Sequence, residues 1–306
     1  MLKRILKKLP PIRRIIQERD NALQEIREYR SHIGFPPGHY YSPIPSIEDI
    51  RSRELQVFAE PGRELAGIDL NEKAQHALLN EFTAYYKEIP FGAKSNSALR
   101  YYFENSFYSY SDAVFLYSMI RHNRPARIIE IGSGFSSAAI LDINELFFDN
   151  RIDCVFIEPY PDRLYSLLKK GDEDRLEIIG ERLQEVRIER FADLTAGDIL
   201  LIDSTHVSKI GSDVNHIIFN ILPDLKTGVH VHFHDIIYPF EYPKEWVYQG
   251  RFWNENYLLR AFLEFNQAYK IELFTNYLHR YHESWIRDNM PLCLQHAGAQ
   301  IWIQRT

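Results

Sequence analysis

Four stretches of this chain carry residues that could act on a bound ligand. They are Glu130-Ile-Gly132-Ser133-Gly134-Phe-Ser136, Glu158, Asp203-Ser-Thr-His206, and His230-Val-His232-Phe-His234-Asp235. The glycine turn closes an apolar run and opens onto small, helix-forming residues, so bare backbone at a helix N-terminus can touch a nucleotide-like ligand. A carboxylate such as Glu158 can accept hydrogen bonds from both hydroxyls of a ribose. Asp203 and Asp235 with one nitrogen of His234 form a donor set able to hold a divalent cation with open positions for substrate. Two carboxylates without thiolate favour Mg²⁺, and the imidazole admits Mn²⁺ or another transition metal. His230, His232 and His234 alternate, so they share one strand face. The first two read as core or near-core histidines.

The elements that position these residues follow from periodicity. Apolar runs predict strands at 127–131, 152–158, 176–179, 198–203 and 229–234, with helices over 136–148, 161–170, 182–191 and 212–222. A helix at 254–267 and strands at 270–274 and 300–304 follow, and helices over 71–86 and 111–121 precede the glycine turn. Continuous apolar strands separated by helices predict a parallel sheet covered on both faces, an α/β Rossmann-like architecture. Ligands in such sheets bind beyond the C-terminal strand ends, which is where Glu130–Gly134, Glu158, Asp203 and His234-Asp235 fall.

The 306 residues carry a formal net charge of -6, which excludes a nucleic-acid binder by electrostatics. The two cysteines, Cys154 and Cys293, have no CxxC spacing, so neither a disulfide framework nor a zinc knuckle is expected, and the usage suits a reducing cytoplasm. Residues 1–14 carry six basic side chains and no acid, with Leu2, Ile5, Leu6 and Leu9 on one helical face. They read either as a membrane-surface foot or as a frayed basic tail. Ile12, Ile15, Arg19, Ala22, Ile26 and Tyr29 step by three and four, the spacing of a short coiled coil, so residues 12–30 are a candidate homo-oligomer arm. The organisation expected is therefore an arm over 1–33, a cap over 34–100 and a catalytic domain over 101–306. The cap includes the Pro- and Gly-punctuated segment 34–45, whose His39, Tyr40 and Tyr41 suit packing over a pocket.

The turn reads Gly132-x-Gly134-x-x-Ser137 and lacks the third glycine that seats a pyrophosphate. An acid two residues before the first glycine suits an ammonium group better, and S-adenosylmethionine has an ammonium and no phosphate. The pattern from Glu130 to Ser136, with Glu158, resembles motifs I and II of the class I S-adenosylmethionine methyltransferases, with Ser136 at the family's third-glycine position. From Asp203 to Asp235 the chain resembles the metal-assisted O-methyltransferase branch, which includes catechol and macrolide-sugar O-methyltransferases and cephalosporin-hydroxylase-like proteins. That resemblance covers about residues 100–305 and implies seven mostly parallel strands, the last antiparallel, helices on both faces and an N-terminal extension.

The resemblance also implies roles. Glu130, Gly132, Ser133, Gly134, Ser136, Glu158 and Asp203 would bind the cofactor; Asp203, His234 and Asp235 would hold the metal. His206, three residues after the strand-end Asp203, stands where the sugar O-methyltransferases carry their base. Asp203 and His234 complete the catalytic set. Methyl transfer is an in-line displacement in which the protein aligns donor and acceptor and removes a proton, and an imidazole suits that task at neutral pH. The aromatic stretch 237–256, with Arg251, Asn254 and Glu255, reads as a sugar-binding wall or a packed loop, and 277–296 as a connection closing the same pocket. Two other classes remain: a nicotinamide-dependent oxidoreductase, which the glycine spacing and the missing Tyr-x-x-x-Lys pair disfavour, and an inactive binding subunit on the same fold.

Overall fold

The computed structural model describes residues 10–31 and 34–306. By its contacts the chain divides into two compact units, one reaching Ala59 and including Lys244–Phe252, the other comprising Glu60–Pro243 and Trp253–Thr306. Residues 60–100, expected within an N-terminal cap, thus lie in the larger unit.

In the smaller unit, helix α1 (Pro10–Ser31) buries none of its residues, and Ile15, Leu23, Ile26 and Tyr29 are exposed along it. The expected membrane-surface foot lies mostly in residues 1–9, outside the described residues. No described helix is long and apolar enough to cross a membrane. Segment 34–45 is a turn in which the Phe35 and His39 rings stack at 4.7 Å, with Tyr40 and Tyr41 exposed. Glu54 accepts hydrogen bonds from Lys244 Nζ at 2.5 Å and Tyr248 Oη at 2.7 Å, tying the 244–252 insertion into this unit.

The larger unit is built on seven strands: β1 Arg127–Ile131, β2 Asp153–Ile157, β3 Glu177–Ile179, β4 Ile199–Ile202, β5 His230–His234, β6 Tyr269–Phe274 and β7 Gln300–Arg305. Their order is β3-β2-β1-β4-β5-β7-β6, with β7 antiparallel to both neighbours. β1, β2, β4 and β5 are buried on both faces apart from the first residues of β1 and β2, which is why β2 and β4 read as near-continuous apolar runs. The order reverses between β1 and β4, and the crevice lies there.

Helices α2 (Glu72–Tyr86), α3 (Tyr110–Asn123), α4 (Phe135–Phe148), α5 (Asp162–Leu167) and α6 (Glu255–Leu263) supply the layers the site depends on. Helix α4, which the glycine turn opens, is anchored at mid-length by Asp142. This fully buried carboxylate accepts the Arg100 and Tyr101 backbone N–H groups at 2.8 Å and the Arg100 Nη1 at 2.8 Å. Arg100 also reaches Asp172 with two bonds of 2.6 and 2.7 Å, so its buried charge is answered on both sides.

Two expected helices did not form as continuous elements. Over 182–191 there is a 3₁₀ turn, Leu183–Glu185, and one turn of helix, Glu189–Ala192. Over 212–222 an α-turn capped by Ser212 widens to a π-helix at Ile217–Ile221 and ends in a 3₁₀ turn containing Pro223. A proline there has no N–H for the helix to continue on.

Candidate active site

Gly132 shows why the turn needs glycine. Its φ is +80°, and a Cβ would lie 1.8 Å from the Asp203 carbonyl oxygen, so β1 and β4 can run side by side only with a hydrogen at this position. Its N–H donates to Ile157 O at 3.0 Å, and Asp203 N–H donates to Ile131 O at 2.8 Å. These bonds carry the sheet one residue past each strand and bring the turn, Glu158 and Asp203 to one level.

Two cavities open above that level, of about 310 and about 500 Å³, sharing Glu158, Asp203 and Ser204. The larger runs from Gly132 and Glu158 past Arg182–Gln184, the segment after β3, to Ser212-Asp213. The smaller is walled by the turn, Phe107, Tyr108, Arg163, His206, His234 and Asp235. Glu158 Oε2 accepts the Ser133 N–H at 3.2 Å and Oε1 the Tyr160 N–H at 2.9 Å, which aims the carboxylate and leaves a lone pair on each oxygen. The Ser133 and Ser204 hydroxyls are buried without a partner and line the smaller cavity. Orphaned hydroxyls beside a ribose-accepting carboxylate are what a nucleoside with a polar tail would satisfy, so these residues fit S-adenosylmethionine. Ser136 lines the same wall.

Glu130 departs from expectation. It lies beneath the turn, fully buried, and lines neither cavity, and its Oε1 has no partner. Ser137 donates its hydroxyl to Glu130 and accepts the Gly134 N–H at 3.0 Å, so the acid braces the start of α4. Burial pushes its pKa up to about 8. The folded state therefore keeps a proton that the unfolded chain sheds near its ordinary value of 4.5, and the associated stability is lost as pH rises from there through 8. Glu130→Gln, which can still accept from Ser137, should remove a pH-dependent loss on the order of 2–4 kcal/mol. Thermal denaturation at pH 5 and pH 9 checks this. Equal losses in variant and parent would refute the buried-acid assignment.

At the β4 and β5 ends, Asp203, His206, His234 and Asp235 do come together. His234 Nδ1 is 3.3 Å from Asp203 and 3.8 Å from Asp235, and its Nε2 is 3.6 Å from Asp112 on α3. His206 Nε2 lies 3.5 Å from Asp203 and 3.6 Å from Asp235, while its Nδ1 is 2.9 Å from Glu255 Oε2. Burial alone would lower both imidazoles. The facing carboxylates outweigh it, raising His234 well above its ordinary range and His206 to about 10. Burial would likewise raise Asp203, but the two rings hold it well below the usual carboxylate range.

This arrangement does not fit the expected metal centre. Among the described residues no group of three or more His, Cys, Asp or Glu side chains could hold a metal ion. The donor set agrees with this: the carboxylates facing both His234 nitrogens favour the protonated ring, which has no lone pair to give. A metal ligand must be the neutral ring.

His232 and His230 lie behind on the same strand. His230 meets Glu272 at 2.6 Å, as a satisfied core histidine does. Burial and the neighbouring His234 depress His232 to about 3, with Tyr108 Oη at 3.4 Å from Nε2 and Nδ1 unpartnered.

Several residues at the site were not anticipated in these roles. Asp112 backs His234 and also accepts the Ala299 N–H at 2.9 Å; a Cβ on Gly298 would strike it at 2.4 Å. Tyr108 packs against His234 with ring centroids 5.0 Å apart. Arg163 lies 3.7 Å from the Phe107 ring centre on the cavity wall. Glu255, expected in a sugar-binding wall, is turned inward onto His206 and lines neither cavity. The wall itself is divided, because 244–252, including Arg251, belong to the smaller unit while Trp253–Asn256 belong to the larger. Residues 277–296 form two helices and a 3₁₀ turn and line neither cavity, contrary to the expected closure.

Residues 129–236 match the family described as a methyltransferase domain. An uncharacterised protein of Archaeoglobus fulgidus is 38% identical over 168 residues, 52% of this chain and 73% of that protein. Among solved structures, the SAH-bound methyltransferase PaMTH1 of Podospora anserina is 14% identical, over 87% of this chain and 99% of that one, with a TM-score of 0.43. The O-methyltransferase TomG of Streptomyces achromogenes, in complex with SAM, is 13% identical over 85% and 96%, with a TM-score of 0.37. Neither structural likeness, at a TM-score under 0.5, bears on the assignment. The family match lies over the glycine turn and the strand ends that this strand order brings together, and residues 129–236 are a methyltransferase domain.

Proposed function

We propose that the chain transfers the methyl group of S-adenosylmethionine to a hydroxyl of a small polar acceptor, with a sugar as the class of acceptor, and that His206 takes the hydroxyl proton. The observation that carries this reading is His206 Nε2 at the wall of the smaller cavity, between Asp203 and Asp235 and beside the glycine turn. Polar Asp203, Ser204 and Asp235 with aromatic Phe107, Tyr108 and Phe135 make a wall suited to a ring with hydroxyl edges and apolar faces.

The bound cofactor would supply an activated methyl carbon and a sulfonium charge. Glu158 would hold the ribose, and the Ser133 and Ser204 hydroxyls the polar tail. A cation bound beside Asp203 would weaken its hold on the His206 imidazolium, and the Nε2 proton would pass to solvent before methyl transfer. His206 then presents a lone pair to the acceptor hydroxyl, as a general base must. The acceptor oxygen forms the new bond to carbon, the carbon–sulfur electrons stay on sulfur, and the proton goes to Nε2.

Transfer of labelled methyl from S-adenosylmethionine to a panel of free sugars, nucleotide sugars and phenols tests the reading. Label on carbon or nitrogen, or on phenols alone, would overturn it. Because the site holds its charges as imidazole–carboxylate pairs, chelator should leave turnover unchanged. Activity abolished by chelator and restored by Mg²⁺ would show that the ring and carboxylates rearrange around an ion.

A further inference from the structure

We infer that Glu255 is a positioning residue for methyl transfer: it holds His206 by Nδ1 so that Nε2 is the nitrogen offered to the acceptor. This rests on the reading of His206 as the base. Glu255 opens α6, is 1% exposed and lines neither cavity, so any part it plays in the reaction passes through His206. Its Oε2 lies 2.9 Å from Nδ1, and Oε1 has no partner, so the carboxylate is buried for that one contact.

The backbone around it does the same work. The N–H groups of Asn254 and Glu255 both donate to the His206 carbonyl at 3.2 Å. Asn254 Oδ1 accepts the Ser208 N–H at 2.6 Å, and its Nδ2 donates to Ser208 O at 3.1 Å. The Trp253 ring lies against the imidazole with centroids 4.5 Å apart. His206 itself has φ +60°, a left-handed conformation that a non-glycine residue keeps only when its surroundings hold it. Three consecutive residues, Trp253–Glu255, thus grip a strained loop, and two of them, Trp253 and Glu255, fix the ring.

A carboxylate on Nδ1 keeps a proton on that nitrogen, so that when the ring gives up one proton the lone pair appears on Nε2, which is how an orienting acid serves a histidine base. It also stabilises the imidazolium formed once the acceptor's proton has moved to Nε2. Neither task needs contact with substrate.

The test uses the full chain carrying Glu255→Gln, which keeps size and an acceptor oxygen but no charge, and Glu255→Asp, which keeps the charge on a shorter stem. Calorimetry reads S-adenosylmethionine affinity, steady-state kinetics on the best acceptor of the panel reads kcat and KM, and ¹⁵N NMR reads the ring nitrogens, with the His206 signals assigned by loss in His206→Asn. Expected are a kcat lowered by about 10²-fold or more in Glu255→Gln, partial recovery in Glu255→Asp, and cofactor affinity and acceptor KM near the parent's. The His206 Nδ1 signal should shift in Glu255→Gln while that of His230, paired with Glu272, stays in place. An unchanged kcat or an unmoved Nδ1 signal would overturn the inference, as would kcat, KM and melting temperature falling together, which marks a structural role. If His206→Ala is fully active, the base assignment itself fails; if it is inactive while Glu255→Gln matches the parent, only the role of Glu255 falls.

Discussion

Replacing His206 with alanine should lower turnover by about 10²–10⁴-fold, the range a positioned general base contributes, while S-adenosylmethionine affinity stays near the parent's. At about 1.4 kcal/mol per tenfold, that is roughly 3–5 kcal/mol of barrier. The expectation follows from placement. His206 is buried except where it meets the smaller cavity, with one nitrogen on Glu255 and the other between Asp203 and Asp235. The neighbouring His234 stands between Asp203 and Asp112 with the Tyr108 ring 5.0 Å from its own. Asp203 and Asp235 are poor bases for a hydroxyl, Asp203 above all, since it is held well below the usual carboxylate range. The measurement is kcat and KM for both substrates across pH, beside calorimetry with the cofactor. Full activity at every pH would remove His206 from the chemistry.

The sheet was legible because near-continuous apolar runs mark strands such as β2 and β4 and alternating runs mark β5 and β7, and seven strands were expected where seven lie. The residues at their C-terminal ends were legible for the same reason: strand order decides what meets at a switch point. What failed were contacts made from helices and loops far along the chain. Asp112 and Glu255 each stand in the first turn of a helix, where an acid is ordinarily a solvated cap, and only the fold turns them inward onto His234 and His206. An acid that packs 0–2% exposed leaves no periodic mark that separates it from an exposed one. The metal centre is not legible for a different reason. Asp203, His234 and Asp235 have the composition of a ligand set, but composition cannot say whether a proton or a cation sits between imidazole and carboxylate. In the structure His234 stands 3.3 Å from Asp203 and 3.8 Å from Asp235, with Asp112 behind it at 3.6 Å. Glu130 shows the same limit, since a strand-end acid next to a glycine turn can point up at a ligand or down at Ser137.

Glu158 is the residue whose loss should cost the cofactor most. Its two oxygens keep lone pairs towards the cavities after accepting Ser133 and Tyr160 N–H, so a ribose with adjacent hydroxyls can donate to both. Hydrogen bonds to a charged group are worth about 1.5–3 kcal/mol each, and two of them lost would weaken affinity by roughly 10²-fold or more. Glu158→Ala also removes the acceptor for two backbone donors, one of them in the glycine turn, so part of that loss would come from a loosened turn. Glu158→Gln separates the two effects: its amide oxygen can still accept one N–H, but the charge and one acceptor are gone. The alanine variant should therefore bind S-adenosylmethionine most weakly, glutamine should fall between, and kcat at saturating cofactor should persist in the glutamine variant, because Glu158 acts on binding and not on the transferred methyl. Calorimetry with S-adenosylmethionine and with adenosine distinguishes the ribose contact from the tail, since a ribose carboxylate must weaken both ligands alike. Parent-like affinity for adenosine in Glu158→Ala would place the ribose elsewhere in the larger cavity and leave Glu158 as a brace for the turn alone.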